Sequence, residues 1–217
     1  MSSLQDLAVV IVDVQADFTT AHDGALAVPG TDHDYLERVS RAAGRLKELG
    51  LALYATQDWH PEDHVSFASR HPGKEAFETI ELSDGRSQVL WPEHAVQETA
   101  GAAIVLDRSW FTQVVPKGAH PHYDSYSGFK DDSGRDTGLA DILRAAGVRT
   151  LICFGLAVDY CLKATVCDAL EAGFGVVVIQ DLSRGVDPAA SEAAWAEMRD
   201  KGADIWPSLD MERIKTL

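Results

Sequence analysis

The sequence predicts an α/β fold, a three-layer α/β/α sandwich with a mostly parallel central sheet. Apolar runs alternate with segments of helical spacing along the 217 residues. The first of these runs, LAVVIVDV at 7–14, is apolar almost throughout, as in a parallel strand covered on both faces. The length is enough to bury a full core, so we expect one domain spanning residues 1–217.

Strands and helices are assigned from apolar runs, helical periodicity, and the Gly and Pro residues that interrupt them. The apolar residues of 65–90 have no sustained periodicity. This stretch is expected to run over the edge of the sheet and to bring Trp91 and His94 to it. An extended region around Val114 ends at 116–118. Strands are expected at 7–14, 51–56, 103–107, 150–154, 175–179 and 203–206, and helices at 32–49, 136–146, 187–199 and from about residue 161.

Composition limits the partners. The net charge of −15 argues against nucleic acid and against an anionic membrane surface, because both need clustered Lys and Arg. Three cysteines, no leader segment and no long apolar span predict a cytoplasmic protein. No single apolar face indicates whether the chain forms a homo-oligomer.

Cys161 is the candidate nucleophile. It follows the apolar run 150–154 and Gly155 and lies where a helix is expected to begin. A helix N-terminus favours negative charge, so this position is expected to lower the thiol pKa. The alternative is a buried small apolar side chain, which suits Cys153 and Cys167 better.

Asp13 and Lys117 follow two other strand ends. Taken alone, Asp13 could cap a turn and Lys117 could be a solvated loop lysine. Ligands of parallel sheets, however, bind at the carboxyl ends of the strands, where Asp13, Asp58, Lys117 and Cys161 are all expected. Asp13 would then be the base, Lys117 a cation favouring the thiolate, and the turn 155–161 a source of oxyanion donors.

A metal site is predicted from Asp58, His60 and His94. One Asp-x-His pair is a weak signal, but a carboxylate with two imidazoles suits Zn, Fe or Mn with open positions. His64 follows within reach of the same site.

Six motifs in chain order together resemble the nicotinamidases of the isochorismatase-like cysteine hydrolases, whose fold is Rossmann-like. The resemblance extends from about Leu7 to Ile205. The motifs are VDVQADF at 12–18, DWHPEDH at 58–64, WPEH at 91–94, PKG at 116–118, DSYSGF at 124–129 and GLAVDYC at 155–161.

The resemblance implies roles for eleven residues. It implies a cis peptide bond between Ala157 and Val158, and His64 is a weaker ligand candidate than the other three. Ala95, where relatives often have Cys, and the loop 120–122 depart from the family pattern. The implied sets are a triad of Asp13, Lys117 and Cys161, metal ligands Asp58, His60, His94 and His64, ring contacts Phe18, Trp91 and Tyr126, and an oxyanion hole from the N–H groups of Ala157 and Cys161.

The implied activity is hydrolysis of nicotinamide to nicotinate and ammonia through a thioester, extending to pyrazinamide. One divalent metal ion is expected, zinc first, with iron or manganese as alternatives. Three other functions stay open: a related amidase for another small amide, a metal-hydroxide hydrolase that does not use Cys161, and a non-catalytic metabolite-binding protein.

Overall fold

A computed structural model describes residues 4–217. Six parallel strands form the central sheet in the order β5-β2-β1-β6-β7-β8, and β3 and β4 form a separate antiparallel hairpin. The strands are β1 Leu7–Val12, β2 Ala52–Asp58, β3 Thr79–Glu81, β4 Ser87–Val89, β5 Phe111–Lys117, β6 Thr150–Gly155, β7 Gly175–Ile179 and β8 Asp204–Trp206.

Aspartates cap the N-termini of α1, α4 and α5. The Asp32 side chain accepts a hydrogen bond from the Tyr35 N–H. Asp187, which precedes Pro188 in the first turn of α4, accepts one from the Ala190 N–H. None of the helices in residues 4–217 has the length and apolar character needed to cross a bilayer. The helices are α1 His33–Glu48, α2 Leu139–Ala145, α3 Lys163–Glu171, α4 Pro188–Asp200 and α5 Met211–Ile214, with a π-helical turn at Val158–Leu162.

The sheet is buried on both faces, and β1 shows this residue by residue. Leu7, Val9 and Ile11 point to the face covered by α1 and α5, while Ala8 and Val10 point to the face covered by α2, α3 and α4. Because the side chains of a strand alternate between faces, one continuous apolar run supplies two separate cores.

Most of the expected elements are confirmed, but some differ, and helix α5 was not expected. The segment 103–107 is not a sheet strand, because Ile104 makes only one bridge, to Gln15, and the sheet position is taken by β5. Helix α2 starts at Leu139 because Gly138, at φ 91°, has a left-handed conformation that a helix interior does not allow. The β3–β4 hairpin lies inside the stretch 65–90, where no element was expected.

The strand ends bring the polar candidates to one edge of the sheet. Asp13 directly follows β1, and Asp58 and Lys117 are register partners at the ends of β2 and β5. At the end of β6, a Cβ on Gly155 would lie 2.1 Å from the Val12 carbonyl oxygen, so only glycine allows this close approach to β1.

Candidate active site

Lys117 is the centre of the site. Its ammonium is fully buried and lies 2.9 Å from Asp13 Oδ2 and 2.5 Å from Asp58 Oδ1. It also donates to the Ser125 carbonyl oxygen at 2.9 Å and to Cys161 Sγ at 3.4 Å. Burial alone would lower the pKa of Lys117, but the two carboxylates outweigh it and hold the pKa well above its usual value. The lysine is therefore charged, and it is not the solvated loop residue that its sequence context allowed.

Asp13 directly follows the end of β1. Its backbone has a φ of 49°, and its Oδ1 accepts a hydrogen bond from Thr56 Oγ1 at 2.6 Å. The contact of Oδ2 with Lys117 is an ion pair outside hydrogen-bond geometry, and Oδ2 accepts no hydrogen bond within residues 4–217. Burial raises the pKa of Asp13 to about 6, against the opposing effects of Lys117 and Thr56, and Asp58 adds to the rise. A carboxylate with this pKa can both accept and return a proton near neutral pH.

Cys161 lies in the π-helical turn, two residues before the start of α3 at Lys163, and is buried. The expectation that this position lowers the thiol pKa is wrong. Burial raises the pKa of Cys161 well above its usual value, and the carboxylates of Asp13 and Asp58 add to the rise, while Lys117 opposes it. The thiol therefore keeps its proton until a neighbouring base removes it.

Asp58, His60 and His94 form a cluster beside Lys117. One potential ligand atom from each residue lies within 4.8 Å of the others. His60 Nδ1 donates to the Gly118 carbonyl oxygen at 2.9 Å, and His94 Nδ1 donates to the Pro92 carbonyl oxygen at 2.7 Å. These bonds leave both Nε2 lone pairs available.

The chemistry of this cluster fits a cation. Burial lowers the pKa of His60 well below its usual value, with His64 and His94 adding to the effect, so the imidazole is neutral. Its Nε2 lone pair then lies 3.8 Å from Asp58 Oδ2, and two electron-pair donors face each other without a proton between them. A carboxylate with two imidazoles fits zinc, iron or manganese.

His64 lies beside this cluster, but its nitrogens are engaged elsewhere. Its ring stacks on His60 at a centroid distance of 4.1 Å. Nδ1 lies 2.7 Å from Ser66 Oγ, and Nε2 lies 3.2 Å from the Tyr123 carbonyl oxygen. Since a carbonyl oxygen only accepts, Nε2 carries the proton in this arrangement. Ligation of a metal by His64 stays a prediction.

Asp124 is a buried carboxylate near the cluster to which the sequence analysis gave no role. It groups with His60 and His64, their potential ligand atoms again lying within 4.8 Å of one another. Burial alone would raise the pKa of Asp124, but its surroundings hold the pKa below its usual value, with the hydrogen bonds from Gln88 and the Ser125 N–H among the causes. The available signal was an acidic residue at the start of the motif DSYSGF.

A cleft opens onto this site, with Asp13, Asp58, His60, His94 and Cys161 in its lining. Aromatic side chains line its walls, and three of these residues were expected from the resemblance. Tyr160 is a fourth wall that the sequence analysis did not name. It contacts Trp91 edge-on at a centroid distance of 5.2 Å, and the Trp91 Nε1–H donates to Tyr126 Oη at 3.2 Å. The aromatic walls are Phe18, Trp91, Tyr126 and Tyr160.

The turn before Cys161 is held by two hydrogen bonds to one carbonyl oxygen. Ala157 O accepts from the N–H groups of Tyr160 and Leu162, each at 3.0 Å. The Ala157 N–H has no acceptor within residues 4–217 and lies in the lining of the cleft. The cis peptide bond is Leu156–Ala157, one residue earlier than expected. Val158 instead begins the helical turn, with its N–H bonded to the Arg184 carbonyl oxygen.

The sequence pattern of the isochorismatase domain family matches residues 7–208 of the chain. Together with the parallel six-stranded sheet, this match defines the class of protein: the chain belongs to the isochorismatase family. Within the family it is similar to the nicotinamidase of Escherichia coli, with 42% identity covering 96% of this chain and 98% of that protein.

Two solved structures are also similar. A nicotinamidase and pyrazinamidase of Acinetobacter baumanii has a TM-score of 0.83 and 40% identity, covering 93% of this chain and 95% of the other. The pyrazinamidase of Pyrococcus horikoshii in complex with zinc has a TM-score of 0.78 and 35% identity, covering 93% and 98%. The expected family and fold are therefore confirmed.

Proposed function

We propose that this chain is an amidase that hydrolyses nicotinamide to nicotinate and ammonia, and that it also accepts pyrazinamide. The observation that carries the proposal is the contact of one buried ammonium, on Lys117, with both Asp13 at 2.9 Å and Cys161 Sγ at 3.4 Å. A carboxylate, a thiol and a cation meet at the bottom of an aromatic cleft. The nicotinamidase and pyrazinamidase relatives support the choice of substrate.

The aromatic walls suit a flat heteroaromatic ring. Phe18, Trp91 and Tyr126 would pack on the ring and exclude water from the carboxamide. Asp58, His60 and His94 would hold a zinc ion, which would supply a Lewis acid for the lone pair of the ring nitrogen. Holding the ring in one orientation lowers the activation barrier, because the entropy cost of orienting the reactants is met on binding.

In the first half of the reaction, Asp13 removes the proton of the Cys161 thiol as the sulfur attacks the amide carbon. The pKa of Asp13, raised by burial to about 6, makes this carboxylate a stronger base than an exposed aspartate while leaving it ionised at pH 7. Lys117 stays protonated and offsets the charge that develops on sulfur. The N–H groups of Ala157 and Cys161 would hold the oxyanion, a contribution of about 3–4 kcal/mol per donor.

In the second half, protonated Asp13 gives its proton to the departing nitrogen, which leaves as ammonia, and a thioester remains on Cys161. Asp13 then takes a proton from water as the water oxygen attacks the thioester carbon. Collapse of this second adduct returns the proton to the sulfur and releases nicotinate. Each proton therefore passes through a single carboxylate, which Lys117 keeps in place.

The test is ammonia release from nicotinamide by the wild type, Cys161→Ala and Cys167→Ala. Cys167 is a buried cysteine of α3 that does not line the cleft, so its substitution is the matched control. We expect Cys161→Ala to lose at least about 10⁴-fold in kcat, as for other nucleophile deletions, and Cys167→Ala to keep its activity. Activity that falls only modestly in Cys161→Ala would instead favour the metal-hydroxide mechanism.

Zinc is proposed on the donor set and on the zinc complex of the similar pyrazinamidase. Chelation of the wild type should lower the activity, and added Zn²⁺ should restore it. We also propose a cytoplasmic location, because all three cysteines are unpaired, as is usual in a reducing compartment.

A further inference from the structure

We propose that Gln88 is a positioning residue that orients Asp124 beside the metal ligands and thereby strengthens binding of the divalent cation. The inference rests on the metal site of the proposed function. Gln88 lies on β4, in the hairpin that the sequence did not predict, and it is 2% exposed. Its Nε2 donates to Asp124 Oδ2 at 3.0 Å.

The hydrogen bonds fix the orientation of the Gln88 amide. Nε2 donates both to Asp124 Oδ2 and to the Val89 carbonyl oxygen at 2.9 Å. The reversed amide would place its oxygen against these two acceptors. In the observed orientation Oε1 is buried and has no hydrogen-bond partner within residues 4–217. A buried acceptor without a partner is unfavourable, and an apolar side chain would avoid it, so the amide is best explained by its donation to Asp124.

Asp124 lies where its charge matters for a cation. It is 4% exposed, and its Oδ1 accepts from the Ser125 N–H at 2.8 Å, so the carboxylate is held from both oxygens. A carboxylate oxygen lies within 4.8 Å of ring nitrogens of His60 and His64. A fixed negative charge beside the proposed ligand His60 favours a bound cation, and residues that orient such partners typically affect metal affinity by about 10- to 100-fold.

A second hairpin residue separates orientation of Asp124 from simple anchoring of its loop. Arg86 contacts the same loop, with its guanidinium 4.5 Å above the Tyr123 ring and Nη2 donating to the His122 carbonyl oxygen at 2.8 Å. No hydrogen bond or ion pair joins Arg86 to Asp124 in the described part of the chain. Arg86→Met is therefore the matched control.

The experiment measures Zn²⁺ affinity by competition with a chromogenic chelator for the wild type, Gln88→Leu, Gln88→Met and Arg86→Met. We expect about 10- to 100-fold weaker binding in both Gln88 variants and a change below about threefold in Arg86→Met. Gln88→Met keeps the length of the side chain, so it gives the result if Gln88→Leu does not fold. At saturating Zn²⁺, the nicotinamidase activity of the Gln88 variants should return to near that of the wild type.

Two results would overturn the inference: an affinity of Gln88→Met within threefold of the wild type, or an equal loss in Arg86→Met. Because zinc binding is measured without substrate, failure of the proposed function would appear separately. In that case the wild type would release no ammonia from nicotinamide while the differences in zinc affinity persisted.

Discussion

Replacing Lys117 with methionine tests the charge balance on which the site depends. Methionine has a similar length but no charge, so the packing is largely kept while the cation is lost. Asp13 and Asp58, 1% and 4% exposed, would then face each other without the ammonium that now contacts both. The change therefore leaves uncompensated carboxylates in a buried site.

The expected cost follows from that geometry. Breaking a buried ion pair by removing one partner typically costs about 3–5 kcal/mol, out of a total stability of about 5–15 kcal/mol. The cost should depend on pH. Lys117 now opposes the rise in the pKa of Asp13 caused by burial, so its loss should move that pKa further above about 6. A carboxyl group whose pKa is higher in the folded than in the unfolded state destabilises the fold when it ionises, and this penalty disappears as the pH falls.

Urea unfolding of metal-stripped protein at pH 8 and pH 5.5 measures both effects. The gap in unfolding free energy between wild type and Lys117→Met should be about 3–5 kcal/mol at pH 8 and smaller at pH 5.5. Lys130→Met is the control, because Lys130 pairs with Asp168 at 3.0 Å in an exposed position. Solvent screens such a pair, so we expect a loss below about 1 kcal/mol. A gap under 1 kcal/mol for Lys117→Met, or a gap equal at the two pH values, would refute the reasoning.

Two further predictions concern the base and the metal site. Because Asp13 must be ionised to accept the thiol proton, kcat/KM should fall as the pH drops through about 6. Thr56→Val removes a 2.6 Å hydrogen bond to the carboxylate, so the acidic limb of this pH profile should move to higher pH by about one unit. An unchanged limb would exclude Asp13 as the base. Gly118 has a φ of 59°, and an added Cβ would lie 2.4 Å from His60 Cε1, so Gly118→Ala should weaken Zn²⁺ binding at least about tenfold. Gly134→Ala is the control, because Gly134 also has a positive φ but an added Cβ would meet no other atom. This variant should lose stability but keep its zinc affinity. Equal zinc affinities of Gly118→Ala and Gly134→Ala would contradict the prediction.

Much of the site was predictable because parallel sheets place their strand ends together. Asp13, Asp58 and Lys117 each lie at the end of a strand that an apolar run marks, and the expected convergence with Cys161 is observed. Asp124 was missed for the complementary reason. It lies in a loop, seven residues beyond the end of β5, and only the packing of that loop brings it to His60.

The protonation states could not be obtained from local sequence. A helix start predicts a lowered thiol pKa for Cys161, but the same side chain is buried beside two carboxylates, which has the opposite effect. Lys117 between Pro and Gly resembles a surface lysine, yet it is buried because Asp13 and Asp58 compensate its charge. Desolvation and charge pairing depend on residues that are 44 to 148 positions apart in the chain.

The sequence by itself determined the strands that bury both faces, the edge of the sheet where chemistry occurs and the membership of the family. Continuous apolar runs and strand-end polar residues are local patterns, and six motifs in order are specific in combination. The tertiary structure decided which strand takes the sheet edge, where the proton of the thiol resides, and which loop carboxylate joins the histidines. Those outcomes depend on packing and on electrostatic interactions that act through space, and no local pattern encodes them.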